Sequence, residues 1–115
     1  MKTELNIQIY GTRKCFDTKK AERFFKERGI KYQYIDLPMY GMKLREFEAV
    51  LRAVGLEDMI DRKNPVSELI DYKSSPEDKR QLLFERQDLL RTPIVRCGRI
   101  TATVGYRPDV LKTWY

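Results

Sequence analysis

The stretch YGTRKCFDTKK, residues 10–20, places Cys15, one of only two cysteines in the chain, between a basic pair and a run with helical character. Just before it, LNIQIY (5–10) alternates the apolar Leu5, Ile7 and Ile9 with polar neighbours, the period of two of a half-buried strand. Just after it, from Thr18, the apolar Ala21, Phe24 and Phe25 recur at helical spacing, and Gly29 supplies the stop. Cys15 therefore falls in the loop that joins a first strand to a first helix.

Residues 32–37 read as a second short strand closed by Pro38. Strand, loop, helix and strand in that order make a βαβ unit, which puts the two strands parallel in one sheet. A second helix is expected over 44–54, with Phe47, Val50, Leu51 and Val54 on one stripe and Gly55 at its end. Residues 56–69 read as short helical pieces broken by Asn64-Pro65. Ser75-Pro76-Glu77-Asp78 is a strong helix start, with a capping serine, a proline in the first turn and acids at the positive end of the dipole. That helix is expected to run to about Gln87. Residues 94–96 and 100–104 flank Cys97-Gly98-Arg99 as a β-hairpin, and 108–114 read as a final short helix. A βαβ half, a helical middle and a ββα half describe an α/β chain with a small mixed sheet and a helical insertion, the thioredoxin-like architecture. In it the catalytic cysteine occupies the loop that holds Cys15.

At 115 residues the chain has the length of one compact domain, so 1–115 is read as a single unit. A composition of 42% hydrophobic and 35% charged residues is that of a folded soluble protein. No apolar run approaches the roughly 20 residues that span a bilayer, and the N-terminus lacks the apolar segment of a signal peptide. Neither membrane association nor export is expected, and the cytoplasm is the expected location. Thiols stay reduced there, which makes the cysteines reactive or simply buried rather than a structural bridge. The absence of histidine removes Cys-His and Ser-His catalysis and, with two cysteines, leaves no zinc site. The net charge of +6 suits an anionic partner. Its lysines and arginines are nevertheless spread along the chain without a dense block or aromatic interleaving, so direct nucleic-acid binding is not expected.

The position of Cys15 has an electrostatic logic. Free amides and the dipole at a helix N-terminus stabilise a thiolate, and adjacent cations do the same. Arg13 and Lys14 precede it, and Lys19 and Lys20 follow in the first turn. The competing view is a small buried hydrophobe, the commoner fate of a cytosolic cysteine, against which the charged and polar neighbours argue.

These residues carry a family resemblance over nearly the whole length. The chain resembles the ArsC/Spx family of thioredoxin-like proteins. Thr18 stands three residues beyond Cys15, where arsenate reductases carry serine and Spx its second cysteine. The segment IDRKN (60–64) resembles the reductases' arginine-lysine-asparagine stretch, and LRTPIV (90–95) their arginine-(x)-proline-isoleucine run. GYRP (105–108) combines a glycine-tyrosine seen in Spx with an arginine-proline seen in the reductases. The loop GTRK (11–14) lacks the asparagine-proline usual in arsenate reductases and is closer to a less characterised ArsC-like branch, with Phe16 as an extra residue.

The resemblance implies that Cys15 is the nucleophile, that Arg91 serves catalysis beside it, and that Arg62 and Arg107 gather there to bind an oxyanion. Guanidinium forks suit that task chemically, the alternative for each being a solvated side chain or a salt bridge. It also implies that Thr18, Arg13, Lys14 and Pro93 border the substrate, Pro93 as the cis-proline facing the cysteine. Cys97 lies four residues past Pro93, so an extended strand would carry it roughly 13 Å from the active-site end, out of disulfide reach. With threonine at position 18, a single-thiol mechanism is expected. Cys15 forms an adduct or mixed disulfide that an external thiol, glutathione alone or with glutaredoxin, resolves. No bound cofactor is expected. Two function classes follow: a thiol oxidoreductase acting on a small oxyanion or a glutathione-linked disulfide, and an Spx-like regulator docking on the RNA polymerase α subunit's C-terminal domain.

Overall fold

A computed structural model describes residues 6–115; Leu5, expected at the start of the first strand, lies outside them. Strand β1 is Ile7–Gly11, helix α1 Phe16–Glu27, and β2 Tyr32–Asp36. Four helices follow, α2 Leu37–Tyr40, α3 Leu44–Val54, α4 Leu56–Met59 and α5 Glu68–Asp71, with a 3-10 turn at Pro65–Ser67. Then come α6 Pro76–Glu85, a 3-10 turn at Gln87–Leu89, β3 Ile94–Cys97, β4 Thr101–Val104 and α7 Pro108–Leu111. The sheet order is β2-β1-β3-β4. β1 and β2 run parallel, while β3 is antiparallel to both β1 and β4. This is the thioredoxin-like arrangement expected from the sequence.

The alternation of each strand sends its side chains to two different cores. On one face Ile7 and Ile9 of β1 and Val95 of β3 pack with Ala21, Phe24 and Phe25 of α1 and Leu111 of α7. On the other face Tyr10, Ile94 and Val104 meet Phe47 and Val50 of α3 and Leu83 of α6. Fully burying a side chain of this size contributes about 1.5–3 kcal/mol, so both cores hold the sheet between layers.

Several boundaries differ from the sequence expectation. α1 begins at Phe16 rather than Thr18, which makes Cys15 its N-cap residue. Pro38, expected to end a strand, instead sits in the first turn of α2, where its missing N–H has no partner to lose. The Ser75 hydroxyl accepts from the Asp78 N–H at 3.1 Å, as its capping role requires, but α6 stops at Glu85 and a separate turn carries the chain onward. The last helix is a single turn ending at Leu111. No helix among the described residues is long and apolar enough to cross a membrane.

Candidate functional site

Cys15 stands at the end of β1 that leads into α1, half-buried, with extended backbone (φ −85°, ψ 117°). Its own N–H donates to the Thr12 carbonyl at 3.2 Å, which closes the loop, and its carbonyl accepts from the Lys19 N–H at 3.3 Å, which opens the helix. The thiol donates to the Thr92 carbonyl at 3.7 Å, so the sulfur faces the residue before Pro93. The Thr92–Pro93 peptide is cis. That apposition of cysteine and cis-proline is the one the resemblance implied.

Burial pushes the Cys15 thiol up, and hydrogen bonds outweigh it. The Thr18 and Thr92 side chains and the backbone N–H groups of Thr18 and Asp17 together hold it below the usual thiol value. The Thr18 hydroxyl is only 1% exposed as part of its residue and has no conventional partner while the thiol is neutral. An ionised sulfur is the acceptor that would satisfy it, which is how a buried donor favours the charged form. Gly11 makes room for this threonine, because a Cβ there would land on the Thr18 side chain.

The flanking cations, expected to activate the thiol, are directed elsewhere. Arg13 lies over the Tyr34 ring with its guanidinium carbon 4.8 Å from the centroid, and Lys19 lies 5.7 Å from the centre of Phe16. Lys20 pairs with Asp17 at 3.8 Å. Lys14 is exposed. Hydrogen bonding by Thr18, Thr92 and two amides replaces charge as the activating cause. Thr92 was not among the residues singled out from the sequence; its place immediately before the cis-proline was the available signal.

The three arginines part company. Backbone pairing of the 59–61 and 89–91 segments, with the Arg91 N–H on the Met59 carbonyl at 2.8 Å and the Asp61 N–H on the Leu89 carbonyl at 2.8 Å, brings the IDRKN stretch against the cysteine. Cys15, Arg62 and Arg91 thus line one depression of about 440 Å³. Arg91 leans over Gly105, whose φ of +81° and missing Cβ let the guanidinium sit where a Cβ would be 2.9 Å from Nη2. Arg62 is already engaged. Its fork takes Glu57 at 2.7 and 2.8 Å and Asp71 at 3.0 and 3.1 Å, so in this structure it is a clamp between α4 and α5 rather than an open anion donor. Arg107 pairs with Asp109 at 3.2 Å and lines a neighbouring hollow of about 240 Å³ that shares Arg91 but not Cys15.

The Cys15 depression also carries Asp17, Glu57, Asp58 and Asp61, set against Arg62, Lys63 and Arg91. It is a mixed-charge surface rather than a cationic cradle. Cys97 lies opposite Ile7, four rungs from Gly11 along β1, which places it at the far end of the sheet. Burial alone pushes its thiol up.

No family model matches the chain. It is 27% identical over 113 residues to the global transcriptional regulator Spx 2 of Oceanobacillus iheyensis, a match covering 94% of this chain and 82% of that one. Among solved structures, an arsenate reductase from Vibrio cholerae superposes with a TM-score of 0.82 at 19% identity, covering 98% of this chain and all of the other (100%). An arsenate reductase (ArsC) related protein from Brucella melitensis gives 0.69 at 19% identity, over 99% and 98% of the two chains. At such identities the structural matches establish the fold. Together with the regulator they uphold the resemblance to the ArsC/Spx family.

Proposed function

We propose that the chain is a thiol oxidoreductase in which Cys15 attacks a glutathione-linked disulfide. The observation that carries this reading is the setting of Cys15 itself: accessible, at the N-cap of α1, opposite Thr92–Pro93, with its thiol held below the usual value. In the first step the Cys15 thiolate bonds to the glutathione sulfur of a mixed disulfide, and the partner sulfur leaves as a thiolate. In the second, a free glutathione thiolate attacks that sulfur, releasing oxidised glutathione and restoring Cys15. Glutathione serves alone or through glutaredoxin.

A zwitterion with two carboxylates and one ammonium suits the mixture of acids and bases around Cys15 better than a compact oxyanion does. Arsenate would have to compete with Glu57 and Asp71 for Arg62. Arg91 and Lys63 make no ion pair among the described residues and are the cations left to meet a carboxylate or oxyanion, with Arg107 adding to them from the adjoining hollow. Thr18 meets the sulfur from the buried side and Pro93 follows the Thr92 carbonyl that accepts from the thiol, whereas Arg13, turned onto Tyr34, and the exposed Lys14 do not line the depression. Thiol exchange of this kind calls for a reducing compartment, so the cytoplasm is the location that goes with it.

The second reading is a regulator that docks on the RNA polymerase α subunit's C-terminal domain, favoured by the match to a transcriptional regulator over most of its length. Turnover of a glutathione mixed disulfide and of arsenate, each with glutathione alone and with glutaredoxin, separates the two. Turnover of the disulfide that vanishes in Cys15→Ser supports the enzyme. No turnover of either substrate, with polymerase α C-terminal domain binding that survives Cys15→Ser, replaces it with the regulator.

A further inference from the structure

At the opposite end of the sheet from Cys15, a depression of about 620 Å³ lies between α3 and the β3–β4 hairpin. Arg45 and Arg52 come from α3, Arg96 and Arg99 from the hairpin, and among the described residues no carboxylate lines it. The spacing explains the helix contribution, since residues seven apart lie on one face about 10 Å apart along the axis. Ala49 and Ala53, also from α3, form a floor low enough to leave the concavity open. Ile100 stands at the rim with 84% of its surface exposed.

Arg96 is fixed in place. Its Nη1 donates to the Gln8 amide oxygen at 3.0 Å and to the Tyr10 hydroxyl at 3.3 Å, and Glu46 lies 4.0 Å away. Arg45, Arg52 and Arg99 are exposed and make no ion pair among the described residues. The Cys15 depression differs, because the carboxylates of Asp17, Glu57, Asp58 and Asp61 line it beside its three cations. Glu46 offsets Arg96 alone, so the three exposed arginines keep an excess of positive charge, and an occupant bearing several negative charges in a small volume would relieve their repulsion.

We propose that this basin is a binding site for an organic polyphosphate, of the nucleoside di- or triphosphate class, separate from the thiol chemistry. All four cations are arginines, whose planar forks match phosphate oxygens in pairs. At neutral pH the terminal phosphate carries close to two negative charges and each inner one about one, so a di- or triphosphate brings roughly three or four charges against the four arginines. The volume is in the range of small-molecule sites. The alanine floor and Ile100 supply apolar surface for the organic part.

Titration of the full chain with inorganic triphosphate and with ATP tests it, with sodium sulfate at equal ionic strength as the control. Saturable one-to-one binding is expected, tighter for ATP than for triphosphate. The double variant Arg52→Ala, Arg99→Ala should weaken it at least tenfold, since two charge-assisted contacts go. Its Cys15 alkylation rate and melting temperature should stay as in the parent, since both arginines are exposed and far from Cys15. Equal binding by parent and double variant, or full suppression by matched sulfate, overturns the proposal. So does tight binding of an Asp-rich peptide or of duplex DNA without binding of triphosphate, which would make the basin a macromolecular surface.

Discussion

Thr18 carries two opposed effects in one side chain. Its buried hydroxyl lacks a partner beside a neutral thiol, a condition that costs about 1–3 kcal/mol. The same hydroxyl is the first of the donors that hold the Cys15 thiol down. Thr18→Val keeps the shape and removes the donor. It is expected to raise stability by about 1 kcal/mol in urea unfolding while slowing alkylation of Cys15 at pH 7 by roughly three- to tenfold. A variant that gained stability with unchanged alkylation would mean that the hydroxyl does nothing for the sulfur. The sign of the pH dependence follows from the direction of the shift. Folding favours the thiolate, so this contribution to stability is complete above the unfolded thiol value of about 8.5 and is lost as pH falls through the lower folded value. Alkylation of the native chain should accordingly reach half its maximum below that of the urea-unfolded chain.

At the scale of elements, the position of Cys15 and its partner strand could be read directly from periodicity, because β1 and α1 each display their own period on either side of it. The role of Arg62 could not. Glu57 and Asp71 lie five and nine residues away, and only the turn at Pro65–Ser67 followed by α5 folds Asp71 back onto it. The α2 turn was hidden for a similar reason, since proline ends a strand and begins a helix with equal ease. Two predictions belong here. Arg62→Met removes a pair of exposed bidentate contacts and should lower stability by about 1 kcal/mol, with Cys15 alkylation changed less than twofold in the absence of added anions. Gly105→Ala acts on the β4–α7 junction, where φ is +81° and the new Cβ would meet the Arg91 guanidinium. It should cost about 1 kcal/mol or more in stability and displace Arg91. Protection of Cys15 from alkylation by sulfate or glutathione should fall several-fold with it. Protection retained in full would remove Arg91 from the site.

Across the whole molecule, one sheet keeps its two thiols and its two charge environments at opposite ends. β1 delivers Gly11 to the mixed-charge depression around Cys15, and its first residue, Ile7, pairs with Cys97 near the arginine basin. Along four rungs this is roughly 13 Å of strand, far outside the 4.4–6.8 Å range, roughly, of bridged Cα pairs. Burial pushes the Cys97 thiol up whereas hydrogen bonds hold the Cys15 thiol down, so position and acidity act in the same direction. Oxidised glutathione should therefore add one glutathione to the native chain, at Cys15, with Cys97 reacting at least tenfold more slowly, since a thiol of higher pKa offers less thiolate at neutral pH. In urea the distinction rests on the fold and should disappear, with both cysteines modified at similar rates. Intact mass and peptide mapping at matched times read both results. An internal Cys15 to Cys97 bridge as the main native product would require the sheet to come apart before the thiols react, and would overturn the single-thiol mechanism together with the register that separates them.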